Sequence, residues 1–204
     1  VSMLPKVREY MMSRGLAPEK LHFVPNGIDP GEWLADSPEL PDEVGQLLGR
    51  LRAQGNAILG YAGSHGVSNA LDNMLDAAKL MQGEKVAFVL VGGGPSKDSL
   101  QQRASREKLD NIHFLDPVKK SQIPALLKCF DIAYIGWHRH PLYRFGIAPN
   151  KLMDYMMAAR PVLHAVAAGN DPVREAGCGL TVEPDDPHAV VEGIRTPVSY
   201  THLR

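Results

Sequence analysis

Short apolar runs alternate along the chain with segments of helical period. Residues 57–62 (AILGYA) and 86–91 (VAFVLV) are almost unbroken apolar stretches. Strands buried on both faces, as in a parallel sheet, read this way. Residues 112–115, 131–135, 161–165 and 180–182 repeat the signal in shorter form. Between the first two runs, 69–81 places Leu71, Met74, Leu75 and Ala78 at helical spacing. Helices are also predicted from the turn 92–95 to about 108, over 122–129 with Ser121 as cap, and over 150–159. Asp171-Pro172 and Asp186-Pro187 each open a further helix, an N-cap followed by a first-turn proline. Ahead of the first strand, 3–14 reads as a short amphipathic helix and 39–54 as a surface helical segment.

This strand–helix alternation predicts an α/β fold, a doubly wound, Rossmann-like parallel sheet with right-handed crossovers. Ligands of such sheets bind beyond the carboxyl ends of the strands. Those ends carry Gly63-Ser64-His65-Gly66, Gly92-Gly93-Gly94, Asp116-Pro117, the long loop 136–149 and Ala167-Ala168-Gly169. Glycine lets a backbone come close to a ligand, so its accumulation on this rim points to a binding site.

Composition narrows the classes. Hydrophobic residues at 44% and charged residues at 22% are those of a chain with a packed core, not of a disordered one. A net charge of -1 excludes a broadly basic nucleic-acid footprint. Cys129 and Cys178 form neither a disulfide framework nor a zinc pattern. No apolar run approaches the roughly 18 residues of a membrane span, and the N-terminal stretch lacks a signal-peptide core. A cytoplasmic setting is expected, with membrane association of a longer parent protein as the variant. The chain opens on Val1, and 198–204 carries no periodicity. It is expected to be a fragment truncated at both ends, with 195–204 a non-native tail.

The candidate chemistry sits on the glycine rim and on one helix. VLVGGGPSK is a strand, a glycine turn and a helix start, whose N–H groups and dipole favour an anion or a ring edge. Without a ligand it is only a tight turn. The dinucleotide fingerprint fails because Lys97 occupies the third glycine position, and no Gly-Lys-Ser/Thr follows at phosphate-loop spacing. A nicotinamide enzyme and a nucleoside triphosphatase are therefore not supported. Lys151 lies in the first turn of the helix opened by Pro149-Asn150, where the dipole disfavours a cation unless a phosphate is near. Asp154 follows at three-residue spacing, expected on nearly the same face, and a carboxylate there can accept both hydroxyls of a ribose. The plain alternative is an exposed Lys–Asp pair. His65 can donate to a phosphate oxygen with Gly66 leaving room, or be a turn histidine in solvent. His138 and His140 alternate, so an extended loop points them the same way. No acid lies near them in the loop, so they are expected at the surface and no metal site is predicted. Cys178 is expected to be a small buried residue, and Trp33 and Trp137 to be packing residues.

The motifs run in a definite order. Val24-Pro25-Asn26-Gly27-Ile28-Asp29 comes first, then Leu90-Val91-Gly92-Gly93-Gly94-Pro95, then Asn111-Ile112-His113-Phe114-Leu115. Phe145-Gly146, Lys151-Leu152-Met153-Asp154-Tyr155-Met156 and Pro161-Val162 follow. Over about residues 1–194 this resembles the C-terminal half of a retaining glycosyltransferase of family 4, a two-domain GT-B protein. It is most similar to the bacterial type that builds surface polysaccharides and lipid-linked oligosaccharides. The resemblance implies that 1–28 are the end of an acceptor domain and an interdomain link, and 29–194 a nucleotide-sugar donor domain. It implies that Asp154 is the second acid of a Glu-x7-Glu motif and holds the ribose. The first acidic position falls on Gly146, which has no side chain. The Arg and Lys that usually grip the pyrophosphate have no match in 63–69, and His65 and Lys151 are read as substitutes. Gly63 and Gly66 belong to that loop, while Gly92, Gly93, Gly94 and Val118 are implied as walls around the base.

The implied partners are a nucleotide diphosphate sugar and a saccharide or lipid-linked acceptor held by the other half. No cofactor, metal or nucleic acid is implied, and no catalytic residue is assigned. The chain alone is expected to bind nucleotide without turning over an acceptor. Two alternatives stand beside this: a nucleotide-sugar epimerase of the same fold, needing a carboxylate–histidine pair at the sugar, and a non-catalytic sugar-nucleotide-binding module.

Overall fold

The computed structural model describes residues 1–34 and 37–196, with the backbone alone at positions 32 and 34. The expected tail, from residue 197 onward, lies outside the described residues. Three helices precede the sheet: α1 (Arg8–Ser13), α2 (Pro30–Leu34) and α3 (Asp42–Ala53). The alternating part then runs β1 (Ala57–Ala62), α4 (Leu71–Leu80), β2 (Val86–Val91), α5 (Lys97–Arg106) and β3 (Ile112–Leu115). It continues through α6 (Ile123–Leu127), β4 (Ile132–Gly136), α7 (Asn150–Met157) and β5 (Val162–Ala165), and closes with α8 (Pro172–Glu175), β6 (Gly179–Val182) and α9 (Pro187–Arg195).

The six strands pair in parallel throughout, in the order β3-β2-β1-β4-β5-β6. The order reverses between β1 and β4, which places a crevice beyond their carboxyl ends. Side chains alternate across the sheet. From β1, Ile58 and Ala62 join one core cluster with residues of α3, α6 and α7, while Leu59 and Tyr61 join a second with residues of α4, α5 and α9. Both faces are covered, so β1, β2 and β4 read as continuous apolar runs rather than alternating ones. Fully buried side chains such as Phe88 contribute about 2–3 kcal/mol each relative to exposure. The doubly wound α/β sheet is the one the sequence pattern predicts.

Four local expectations change. The segment 39–54 is not a surface helix: α3 buries Val44, Leu48 and Leu51, spaced to form one apolar stripe. The segment 3–14 is helical only from Arg8, because Ser2 instead bonds the strand-like stretch around Phe23 (Ser2 N–H to the His22 carbonyl, 2.9 Å; Val24 N–H to the Ser2 carbonyl, 2.9 Å). Ser121 caps no helix; it lies inside a 3-10 turn (Lys120–Gln122), and the N-cap of α6 is Gln122. The loop 136–149 is not featureless, since Pro141–Phe145 forms another 3-10 turn. The caps Asp171 and Asp186 are as predicted: each carboxylate accepts from N–H groups of the turn it opens.

Candidate functional site

Two adjoining cavities open on the rim at the switch point. The smaller, about 330 Å³, is bordered by the loops that follow three strands: Gly63 and Ser64 after β1, Gly92 and Gly93 after β2, and Pro117 and Val118 after β3. The larger, about 850 Å³, lies between residues 27–33, the 3-10 turn at Ser121, and the α7 residues Asn150, Met153 and Asp154. Ile123 lines both and forms their common edge.

The glycine loops are shaped by mutual contact. Gly92 has φ +150°, and a Cβ built there would stand 1.9 Å from the carbonyl oxygen of Gly63. Only glycine allows the two loops to meet. His65 is laced into the same turn: its N–H donates to the Gly93 carbonyl (2.8 Å), and its carbonyl accepts from Ser96 N–H (2.9 Å). Its ring is fully buried between Tyr61 and Phe114, neither ring nitrogen has a partner, and it lines neither cavity. Burial pushes its pKa down to about 4, helped by Lys97 and Lys151, so the imidazole is neutral at pH 7. It is not a solvent-exposed turn histidine.

Lys151 crosses from α7 to the β1 side. Its Nζ donates to Tyr61 Oη (2.9 Å) and Asn69 Oδ1 (3.3 Å), and stands 4.1 Å from the centroid of the Tyr61 ring. A Cβ on Gly63 would be 3.2 Å from it. The ammonium therefore sits against the glycine loop. Burial lowers its pKa to about 8. Tyr61 Oη passes the contact on by donating to the Ser64 carbonyl (2.7 Å), and Asn69 Nδ2 donates to the same oxygen (2.9 Å).

Asp154 faces the other cavity. Its Oδ1 accepts the indole N–H of Trp33 (3.1 Å). Burial raises its pKa, against the opposing pull of that hydrogen bond and of Lys120. Lys151 and Asp154 thus do not form a pair: one meets the β1 loop, the other the segment before the sheet.

Of the predicted site residues, Gly63, Gly92, Gly93, Val118 and Asp154 line the joined cavities, and Lys151 abuts them. His65, Gly66, Gly94 and Gly146 do not line them. Gly94 is packed on the His65 backbone, and a Cβ on Gly66 would meet only the side chains of Ser64 and Asn69, at ordinary contact distance. Gly146 has φ +97°, and a Cβ there would fall 2.5 Å from Pro5 Cδ. The N-terminal segment covers the spot, since Lys6 N–H also donates to the Phe145 carbonyl (2.9 Å) and the rings of Tyr10 and Phe145 stack with centroids 4.8 Å apart. The sequence reading missed Trp33 as a polar partner, Asn26, whose Nδ2 donates to the Ala148 carbonyl (2.6 Å), and the Tyr61–Asn69 cradle.

Elsewhere, His138 and His140 part ways. His138 lies between Asp185 (Nδ1, 2.6 Å) and Asp72 (Nε2, 3.4 Å), acids supplied from outside its loop, while His140 accepts from Leu142 N–H (3.2 Å). Among the described residues no cluster of three or more His, Cys, Asp or Glu side chains is arranged to hold a metal ion. Cys178 is buried, as expected. No described helix is long and apolar enough to cross a membrane.

A glycine-walled cleft at a parallel sheet's switch point, with a cation and a carboxylate on the following helix, agrees with the family match. The model for glycosyl transferases group 1 covers residues 56–199. The chain belongs to that family. This group 1 chain is 29% identical over 201 residues to WcaI of Escherichia coli K12, described as a putative colanic acid biosynthesis glycosyl transferase. The match takes in 95% of the chain and 47% of WcaI, so the chain spans about half the length of that relative. Its fold matches HepE of Anabaena, solved in complex with UDP-glucose, with a TM-score of 0.70 at 18% identity, over 96% of this chain and 52% of that one. It also matches the C-terminal domain of LpcC from Francisella tularensis, a group 1 family protein, with a TM-score of 0.56 at 15% identity, over 87% and 90%. The sheet therefore has the fold of that C-terminal domain.

Proposed function

We propose that this group 1 chain is the donor half of a retaining glycosyltransferase, with residues 29–194 as the domain that takes a nucleotide diphosphate sugar. The carrying observation is the adjoining pair of cavities, one bordered by glycine loops and the other bearing a carboxylate, with a partly buried lysine against the glycine loops. The ribose hydroxyls hydrogen-bond Asp154. The diphosphate lies against Gly63 and Gly92, where backbone approach is close and the Lys151 ammonium is within reach.

Transfer breaks the bond between the anomeric carbon and the diphosphate, so negative charge grows on the leaving group. Lys151 and the N-terminal end of α7 stabilise that charge electrostatically. A desolvated ammonium interacts more strongly than a solvated one. The acceptor, a saccharide or lipid-linked saccharide in polysaccharide biosynthesis, is held by the remainder of a longer protein. UDP-glucose in HepE and the colanic acid role ascribed to WcaI support this reading. The epimerase alternative has less support, because no histidine lines either cavity and position 146 is glycine.

Calorimetric titration of the 204-residue chain with UDP, GDP and ADP tests it. One nucleoside diphosphate is expected to bind, and Asp154→Ala to weaken it by about tenfold or more, the loss of a charge-assisted hydrogen bond. Binding of none of the three overturns the donor-half reading. Sugar transfer by this chain alone contradicts the assignment of the acceptor site to another part.

A further inference from the structure

The carboxylate at position 154 is held by a residue outside the sheet domain's own elements. Trp33 lies on α2, ahead of the stretch that the family model matches. It is buried at 7% exposure, yet it lines the larger cavity. A buried indole N–H left without an acceptor is costly, so its bond to Asp154 Oδ1 fixes the ring as much as the acid. The stretch leading to Trp33 is anchored to the same helix at a second point: Asn26 Nδ2 donates to the Ala148 carbonyl, just before α7. Asp29 braces α2 by accepting Gly31 N–H (2.8 Å), and Trp33 N–H donates to the Asp29 carbonyl (3.2 Å). Segment 26–33 therefore clamps α7 at its entry and at Asp154.

We infer that Trp33 is the positioning residue for Asp154, its indole N–H holding the carboxylate in the orientation that receives the ribose. A carboxylate has about four acceptor positions, and the indole takes one. The rest are then presented in one orientation instead of being shared among rotamers. Lys120 acts on Asp154 from the opposite wall, and Asp29 lines the same cavity. The inference rests on the donor-cleft reading for its ligand but not for its geometry.

Trp33→Phe keeps the ring and removes the N–H. Two measurements separate the inference from the reading beneath it. The first is affinity for the nucleoside diphosphate that binds, and for its 2′,3′-dideoxy form. Trp33→Phe is expected to lose about tenfold in affinity for the ribonucleotide and nothing for the dideoxy form, since only the former uses the carboxylate. Equal losses for both, or none for either, overturn the inference while leaving the donor cleft standing. The second is the carboxyl NMR titration of Asp154 without ligand. Removal of the indole donor is expected to move it to higher pH, and an unmoved titration overturns the inference. This second measurement decides the matter even if the unaltered chain binds no nucleotide. Retained amide dispersion in the variant shows that the fold survives.

Discussion

On the β1–β2 side the cleft is lined by main chain: Gly63, Gly92 and Gly93 bring backbone to the rim. Across from it, α7 and the segment before the sheet present side chains, Asp154 and Trp33, with Lys120 of the 3-10 turn facing them across the larger cavity and Lys151 reaching back to the glycine wall. The two walls fail in different ways. A backbone wall carries no titrating group and depends on loops meeting at van der Waals distance, so its changes act on the fold. A side-chain wall holds charges out of water, so its changes act on binding and on pH dependence while the fold tolerates them.

The sharpest break of this comparison is Gly92→Ala. The added Cβ meets the Gly63 carbonyl, which is backbone and cannot swing aside. A loss of about 3 kcal/mol or more is expected, lowering the thermal midpoint by about 10 °C, with nucleotide binding lost only as a consequence. Calorimetric unfolding checks it; a stable variant would mean that the loops have slack.

Lys151→Met comes next and moves binding and stability apart. It removes a desolvated charge, so at pH 7 the variant is expected to be at least as stable as the parent while losing about tenfold in diphosphate affinity. Lys151 has a folded pKa of about 8, below its value in the unfolded chain. Between the two values the unfolded chain holds more protons. The contribution of Lys151 to stability therefore rises with pH from about 8 upward, and the anion affinity it supports falls over the same range. Urea unfolding and nucleotide titration at pH 7 and at about pH 9.5 show opposite slopes in the parent, and neither slope in the variant.

Gly66→Ala has the smallest expected effect. Gly66 lies on the same loop, but no backbone crowds it and its φ is ordinary. A stability change within about 0.5 kcal/mol is expected. A drop in nucleotide affinity without one would show that Gly66 makes room for ligand, not for the fold.

The sheet was legible because its strands announce themselves. The runs 57–62 and 86–91 match β1 and β2 residue for residue, since a strand covered on both faces leaves no room for polar interruptions, and 112–115 matches the edge strand β3 despite His113. The loops around the site were legible by position but not by orientation. Helical spacing placed Lys151 and Asp154 near one face, yet each reaches a partner distant in sequence, Tyr61 and Trp33. His65 read as a phosphate donor, or else a turn histidine in solvent, because nothing in a Gly-Ser-His-Gly turn reveals that Tyr61 and Phe114 close over it. Val44, Leu48 and Leu51 were in plain view as a stripe in 39–54, and their burial was missed because polar residues such as Gln46, Arg50 and Arg52 share the segment.

Pro5 rests on Gly146, and this contact couples two distant positions in the history of the sequence. A glutamate arising at 146 would meet the proline ring and a backbone angle that suits glycine. Such a change can persist only if position 5 shrinks or its segment takes another path, in the same lineage and in close succession. The pair is thus expected to change together or not at all, and an acid at 146 is at least a two-step path whose first step is unfavourable.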